Sequence, residues 1–182
     1  MAADEKIRRA DLPALKIVHY GDPRLREVCT PVEARDESLR RLADRMFELM
    51  FQARGVGLAA CQVGVTVQLF VASPSAQEDD RRVYVNPRIV SMDGWQESEE
   101  GCLSIPGVSC KIKRRGIVTV QATDLEGKPF EETGQDLTAR IFQHEIDHLN
   151  GQLIVDRMGS LAKMARRHTL KELEHRCDED SS

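Results

Sequence analysis

Residues 143–154 read QHEIDHLNGQLI and contain HExxH, two imidazoles four residues apart with a glutamate between them. On a helix, that spacing puts His144 and His148 one turn apart on the same face, within reach of a single metal ion. Glu145 falls beside them, where a carboxylate can take and return protons. The plain alternative is a helix with two half-buried histidines and a surface glutamate. Against it, both rings continue an apolar stripe with Leu137 and Ile141, and buried imidazoles need partners that a shared metal supplies. Catalytic sites of this kind generally use three protein ligands and keep one position open. The extended motif H-E-x-x-H-x-x-G-x-x-H brings a third histidine. Here Gly151 arrives on time, but Ile154 stands in the histidine's place.

The third ligand must come from elsewhere. Downstream, the acidic candidates are Asp156, Glu172 and Glu174. The segment HTLKELEHRC around the last two reads as a solvated helix face. Upstream, five cysteines and His19 compete. Cys29, Cys110 and Cys177 lack glycine-rich or acidic surroundings and read as small core or surface residues. Cys61 in GLAACQVG and Cys102 in EEGCLSIPG both have glycines nearby that let backbone approach another group closely. The residues alone leave these two open.

The elements that must position such a site are partly visible. Residues 36–54 place Leu39, Leu42, Met46, Leu49 and Met50 at helical spacing, with Asp36 or Ser38 as N-cap and Gly55 as the stop. β-type runs follow at 67–73, 82–90 and 111–124. DLEGKP at 124–129 predicts a hairpin turn that returns the chain through FEET. A helix then runs from Asp136 through the histidines to Leu149. A last helical pattern spans about 158–175, and the charge-rich end HRCDEDSS, from about residue 177, is expected to fray. Strands first and the histidine helix late, without βαβ alternation, predict an α+β fold: mainly antiparallel sheets around a central HExxH helix, with a C-terminal helix. One domain over residues 1–182 is expected.

Composition narrows the setting. Of 182 residues, 41% are hydrophobic and 31% charged, as in an ordinary globular protein. A net charge of −4 gives no drive toward nucleic acid or anionic membrane, and no run approaches the length of a membrane span. The N-terminus lacks the apolar core of a secretory signal and carries Asp4, Glu5 and Asp11, so the cytoplasm is expected. Five cysteines without regular spacing do not form a disulfide framework.

Three segments together resemble the peptide deformylase family: Gly55-Val56-Gly57-Leu58-Ala59-Ala60-Cys61-Gln62, Glu100-Gly101-Cys102-Leu103-Ser104 and Gln143-His144-Glu145-Ile146-Asp147-His148. YGDPRLRE at 20–27 is similar to the family's N-terminal segment, and the likeness covers roughly residues 15–160. The resemblance implies that Cys102 is the third ligand beside His144 and His148, with Cys61 at a variable position. It implies one divalent metal ion per chain, Fe(II) in cells, with Zn(II), Ni(II) or Co(II) in purified protein. It also implies an activity: removal of the N-formyl group from the initiator methionine of nascent polypeptides, with release of formate.

In that reading the metal lowers the pKa of water and Glu145 is general base and then general acid. Gln62 and the Leu103 backbone N–H are the oxyanion donors. Gly57, with Gly55, lets peptide backbone come close in a β-addition mode. Val56, Leu58, Ile141 and the His144 ring are the substrate-pocket walls, with the Arg140 stem at the mouth and its head in water. Glu100 and Arg114 are expected as an ion pair bracing the cysteine loop, and Asp147 as a residue that orients a neighbour or offsets helix charge. The basic residues of 157–176 suggest ribosome contact through the C-terminal helix, or a plain solvated face. No membrane partner and no specific nucleic-acid sequence are expected.

Overall fold

The computed structural model describes residues 3–33 and 37–180. Helix α1 (Ala3–Arg9) tucks Ala3 and Ile7 against α2 (Glu37–Gln52), which buries Leu39, Leu42, Met46, Leu49 and Met50 along one stripe. The helix is described from Glu37, so Ser38 lies inside it and does not cap it, and Asp36 lies outside the described residues. At its other end the left-handed residue is Arg54 (φ 56), not Gly55. Gly55 instead makes room for Leu103: a Cβ there would lie 2.6 Å from Leu103 Cδ1, which would have to move aside.

Among the described residues, seven strands form two sheets. The larger is antiparallel throughout, in the order β1 (Gly57–Ala59), β2 (Leu69–Ala72), β3 (Arg82–Asp93), β6 (Ile117–Thr123), β7 (Pro129–Gln135). The smaller pairs β4 (Gln96–Gly101) with β5 (Ser109–Arg114), joined by residues 102–108. The run expected at 111–124 is therefore two strands in two sheets. The chain breaks at Arg115-Gly116, where the Gly116 N–H donates to Asp93 O and its carbonyl accepts from the Asp136 N–H. Strand β4, QESEEG, was not expected. Only Glu100 of its six residues is buried, so it lacks the apolar alternation by which strands are read.

Helix α3 (Asp136–Leu149) packs Ala139, Ile141 and Phe142 on the larger sheet. Phe142 meets Tyr84 edge-on at 5.3 Å, and Tyr84 stacks on Phe70 at 4.4 Å, arrangements that add to simple burial. After a short α4 (Ile154–Arg157), the single helix expected at about 158–175 is two: α5 (Ser160–Ala165) and α6 (Arg167–Asp180). Leu170 and Leu173 of α6 join Ile105, Val108, Cys110 and Ile112 in a core cluster behind the smaller sheet. Helix α6 continues to Asp180, through most of the segment expected to fray, while residues 181–182 lie outside the described ones. No helix among the described residues is long and apolar enough to cross a membrane.

Candidate active site

Packing on the larger sheet turns the opposite flank of α3 toward β4 and β5. His144, Glu145 and His148 are all buried there, at 9%, 3% and 1% exposure. Cys102 follows β4 directly. Its Sγ lies 3.2 Å from His148 Nε2, which lies 3.1 Å from His144 Nε2. The three ligand atoms fall within 4.8 Å of one another, the one such group found among the described residues. Glu100 Oε1 accepts from His144 Nδ1 at 2.7 Å. An ionised carboxylate only accepts, so Nδ1 carries a proton. Burial works against charge on this ring, yet Cys102 and Glu100 beside it push the His144 pKa well above its ordinary value, and Nε2 gives up its own proton when it serves as a ligand. Burial, with His144 and Arg114 nearby, pushes the His148 pKa well below its ordinary value, keeping that ring neutral. One sulfur and two imidazole nitrogens with no other work fit a divalent transition-metal ion.

The rival ligands are elsewhere. Cys61 is fully buried on the backbone side of α3, where its Sγ donates to His148 O at 3.4 Å. Cys29 beside it, together with burial, raises its pKa, so it remains a thiol. Asp156 pairs with Arg26, and Glu172 lies near His168 on the exposed side of α6. His19 is exposed.

Glu145 borders a cavity of about 400 Å³ that also touches Gln62, Cys102, Leu103, Ile141 and His144. One of its oxygens, Oε2, is buried with no hydrogen-bond partner. Burial, partly offset by His144, pushes its pKa up to about 7, the range in which a carboxylate both accepts and returns a proton near neutrality. Space for this carboxylate comes from Gly57, where a Cβ would run into Glu145 and come within 3.1 Å of Ile141 Cγ2. Gln62 is held at both ends of its amide. Oε1 accepts from the Ala59 N–H at 2.8 Å, and Nε2 donates to Ser104 Oγ at 3.1 Å and lies 3.5 Å from Cys102 Sγ. The amide therefore presents its donor side to the cysteine loop.

Val56, Gly57 and Ile141 line the cavity; Leu58 does not. Side chains alternate along a strand, and with Gly57 facing the cavity Leu58 points into the core beside Leu42 and Met46, fully buried. Leu137, read as part of the apolar stripe, is 47% exposed at the cavity rim.

Glu100 and Arg114 form a buried bidentate pair, with Nε to Oε2 at 2.8 Å and Nη2 to Oε1 at 2.5 Å. Burial works against the charge on Glu100, yet Arg114 and His144 beside it hold its carboxyl far below the ordinary carboxylate range. Arg114 also donates to Asp147 at 2.7 Å, and Arg157 pairs with the same carboxylate from outside. The head of Arg140 is not in water. It is 6% exposed and donates to Glu100 Oε2 at 2.9 Å. The signal was available: Arg140 precedes His144 by one turn, so a buried histidine face buries the arginine too.

Fold and site together define an α+β hydrolase whose working helix carries HExxH opposite a cysteine loop. The chain belongs to the polypeptide deformylase family, whose model matches residues 14–164. It is 46% identical over 160 residues to a peptide deformylase of Chromobacterium violaceum, covering 88% of this chain and 96% of that one. It is 42% identical over 163 residues to that of Pseudomonas aeruginosa, covering 89% and 96%. Among solved structures, a peptide deformylase from Legionella pneumophila superposes with a TM-score of 0.84 at 48% identity, covering 88% and 95%. Peptide deformylase 1B of Arabidopsis thaliana does so at 0.87 and 39% identity, covering 91% and 93%.

Proposed function

We propose that this enzyme hydrolyses the N-formyl group of the initiator methionine on nascent polypeptides, giving a free amine and formate. The observation that carries the reading is the convergence of Cys102, His144 and His148 beside a buried carboxylate oxygen of Glu145 that lacks a partner. Those three residues hold one divalent ion, Fe(II) in cells and Zn(II), Ni(II) or Co(II) after purification. When bound it supplies Lewis acidity, acidifying water and polarising the formyl oxygen.

The chain's own residues do the rest. Glu145 takes a proton from the attacking water and delivers it to the departing amine, so one water enters and formate and amine leave. The Gln62 amide and the Leu103 N–H stabilise the oxyanion at the formyl carbon. Among the described residues strand β1 pairs with β2 alone, and its other edge accepts the peptide backbone in extended form. Main-chain pairing of this kind suits many different nascent chains. The methionine side chain enters the cavity between Val56, Ile141 and the His144 ring.

The test is formate release from formyl-Met-Ala-Ser by anaerobically purified protein loaded with Fe(II), with and without chelator. Rapid release abolished by chelator is expected. No release at full metal occupancy would sink the reading.

A further inference from the structure

The polar cluster around Glu100 holds more positive charge than Glu100 needs. Arg114 alone supplies a buried bidentate partner. Arg140 adds a second buried guanidinium on the same carboxylate. Burying another cation costs desolvation that a methionine of similar length would avoid. What the arginine adds is reach. Its Nη2 donates to Gln96 Oε1 at 3.2 Å, and its Nη1 lies 3.5 Å from both Ser98 O and Ile112 O, contacts at the long end of hydrogen bonding. One side chain on the histidine helix thus touches β4 at three residues and β5 at a fourth.

Among the described residues that strand pair shares no ladder with the larger sheet. Beyond the backbone bond of Gly116 to Asp136 and the two bonds of the Gln143 amide to Arg115 at the end of β5, its seat against α3 rests on the side chains of this cluster. The polar seam has a far end, where Arg114 meets Asp147. It has a near end, where Arg140 meets Gln96, itself fixed by donating to Asp136 O at 2.8 Å and Arg115 O at 3.0 Å. Gln96 and Arg114 are cross-strand partners at the end of the pair away from Cys102, so the bonds of Arg140 to Glu100, Ser98 and Ile112 are those that hold the strands against α3 on the way to the cysteine, two residues beyond Glu100.

We infer that Arg140 is a positioning residue that sets the separation of the Cys102 thiol from His144 and His148, and through it the affinity of the site for a divalent ion. This rests on the metal reading above. Buried ionic groups of this kind are best attested as registry devices, and changes to the partners of metal ligands typically cost 10–100-fold in metal affinity.

The experiment is a Co(II) titration of the metal-free full chain, wild type beside Arg140→Met, Arg140→Lys and Gln96→Leu. The thiolate-to-cobalt charge-transfer absorption and the melting midpoint of each metal-free protein are recorded. Arg140→Met is expected to bind about 10–100-fold more weakly, with a diminished thiolate band per bound ion. Arg140→Lys falls between, because an ammonium can hold Glu100 but cannot also reach Gln96. Gln96→Leu loses less, in the same direction. A lowered midpoint with wild-type affinity and band in Arg140→Met would overturn the inference, leaving a merely structural arginine. If that variant does not fold, the other two decide, and wild-type behaviour in both overturns it equally. A wild type that binds no cobalt would instead remove the metal reading, and this inference with it.

Discussion

The larger sheet meets α3 through Phe70, Tyr84, Val118 and Val120 packed with Ala139, Ile141 and Phe142. The smaller strand pair meets the same helix through Gln96, Glu100 and Arg114, bonded to Arg140, His144 and Asp147. Apolar contact is nondirectional and scales with buried area, so it supplies most of the stability and tolerates small shifts. Charge-assisted bonds between fixed forks tolerate little displacement. The histidines therefore sit on a helix packed on the larger sheet, and the cysteine just beyond a strand pair tied to that helix by directional bonds. Stability and site geometry are carried by different sides of one helix.

The largest expected effect separates the chemistry from both attachments. Glu145→Gln keeps the ligands and the packing but loses the proton acceptor, so formate release should fall about 10²–10⁴-fold while Co(II) still binds. Unchanged turnover would remove Glu145 as the base. On the packed side, Phe142→Ala should cost about 3–5 kcal/mol in urea unfolding, with near-normal cobalt affinity in the protein that remains folded. A large affinity loss there would blur the division drawn between the two sides.

On the polar side, Arg114→Met leaves Glu100 and Asp147 with one arginine each, and should cost about 3 kcal/mol together with a clear drop in metal affinity. If only stability moved, the strand pair would be held by something other than this seam. Smallest in stability is Gly57→Ala, about 1–3 kcal/mol for the added methyl. Because that methyl meets Glu145 and Ile141, kcat should fall further than the melting shift explains. A kcat that tracks stability alone would argue against a crowded carboxylate.

Legibility in the sequence follows the same division. The α2 stripe and the histidine helix are readable because their periods repeat and their burial is apolar. Strand β4 is not, since a polar strand that buries one glutamate has no alternation to detect. The break at Arg115-Gly116 is hidden inside a run of good strand formers, and only the glycine marks it. Leu58 sits in a motif beside the cavity, but its direction depends on which face of a three-residue strand looks inward. Choosing between Cys61 and Cys102 required either a family resemblance or a fold. Both cysteines lie near α3, and only placement in three dimensions puts one at its backbone and the other among its imidazoles.

Helix α6 carries a consequence for how the protein is made. Leu170 and Leu173 cover Ile105 and Val108 in the loop that follows Cys102, yet they are synthesised about 60 residues later. At roughly 5–20 residues per second, that loop waits about 3–12 seconds with its apolar back uncovered. Over roughly the last 20 of those residues, after His148, translation has produced every side chain of the site but not the helix that backs its cysteine. The cysteine loop thus takes part of its apolar backing from a helix made after the rest of the site.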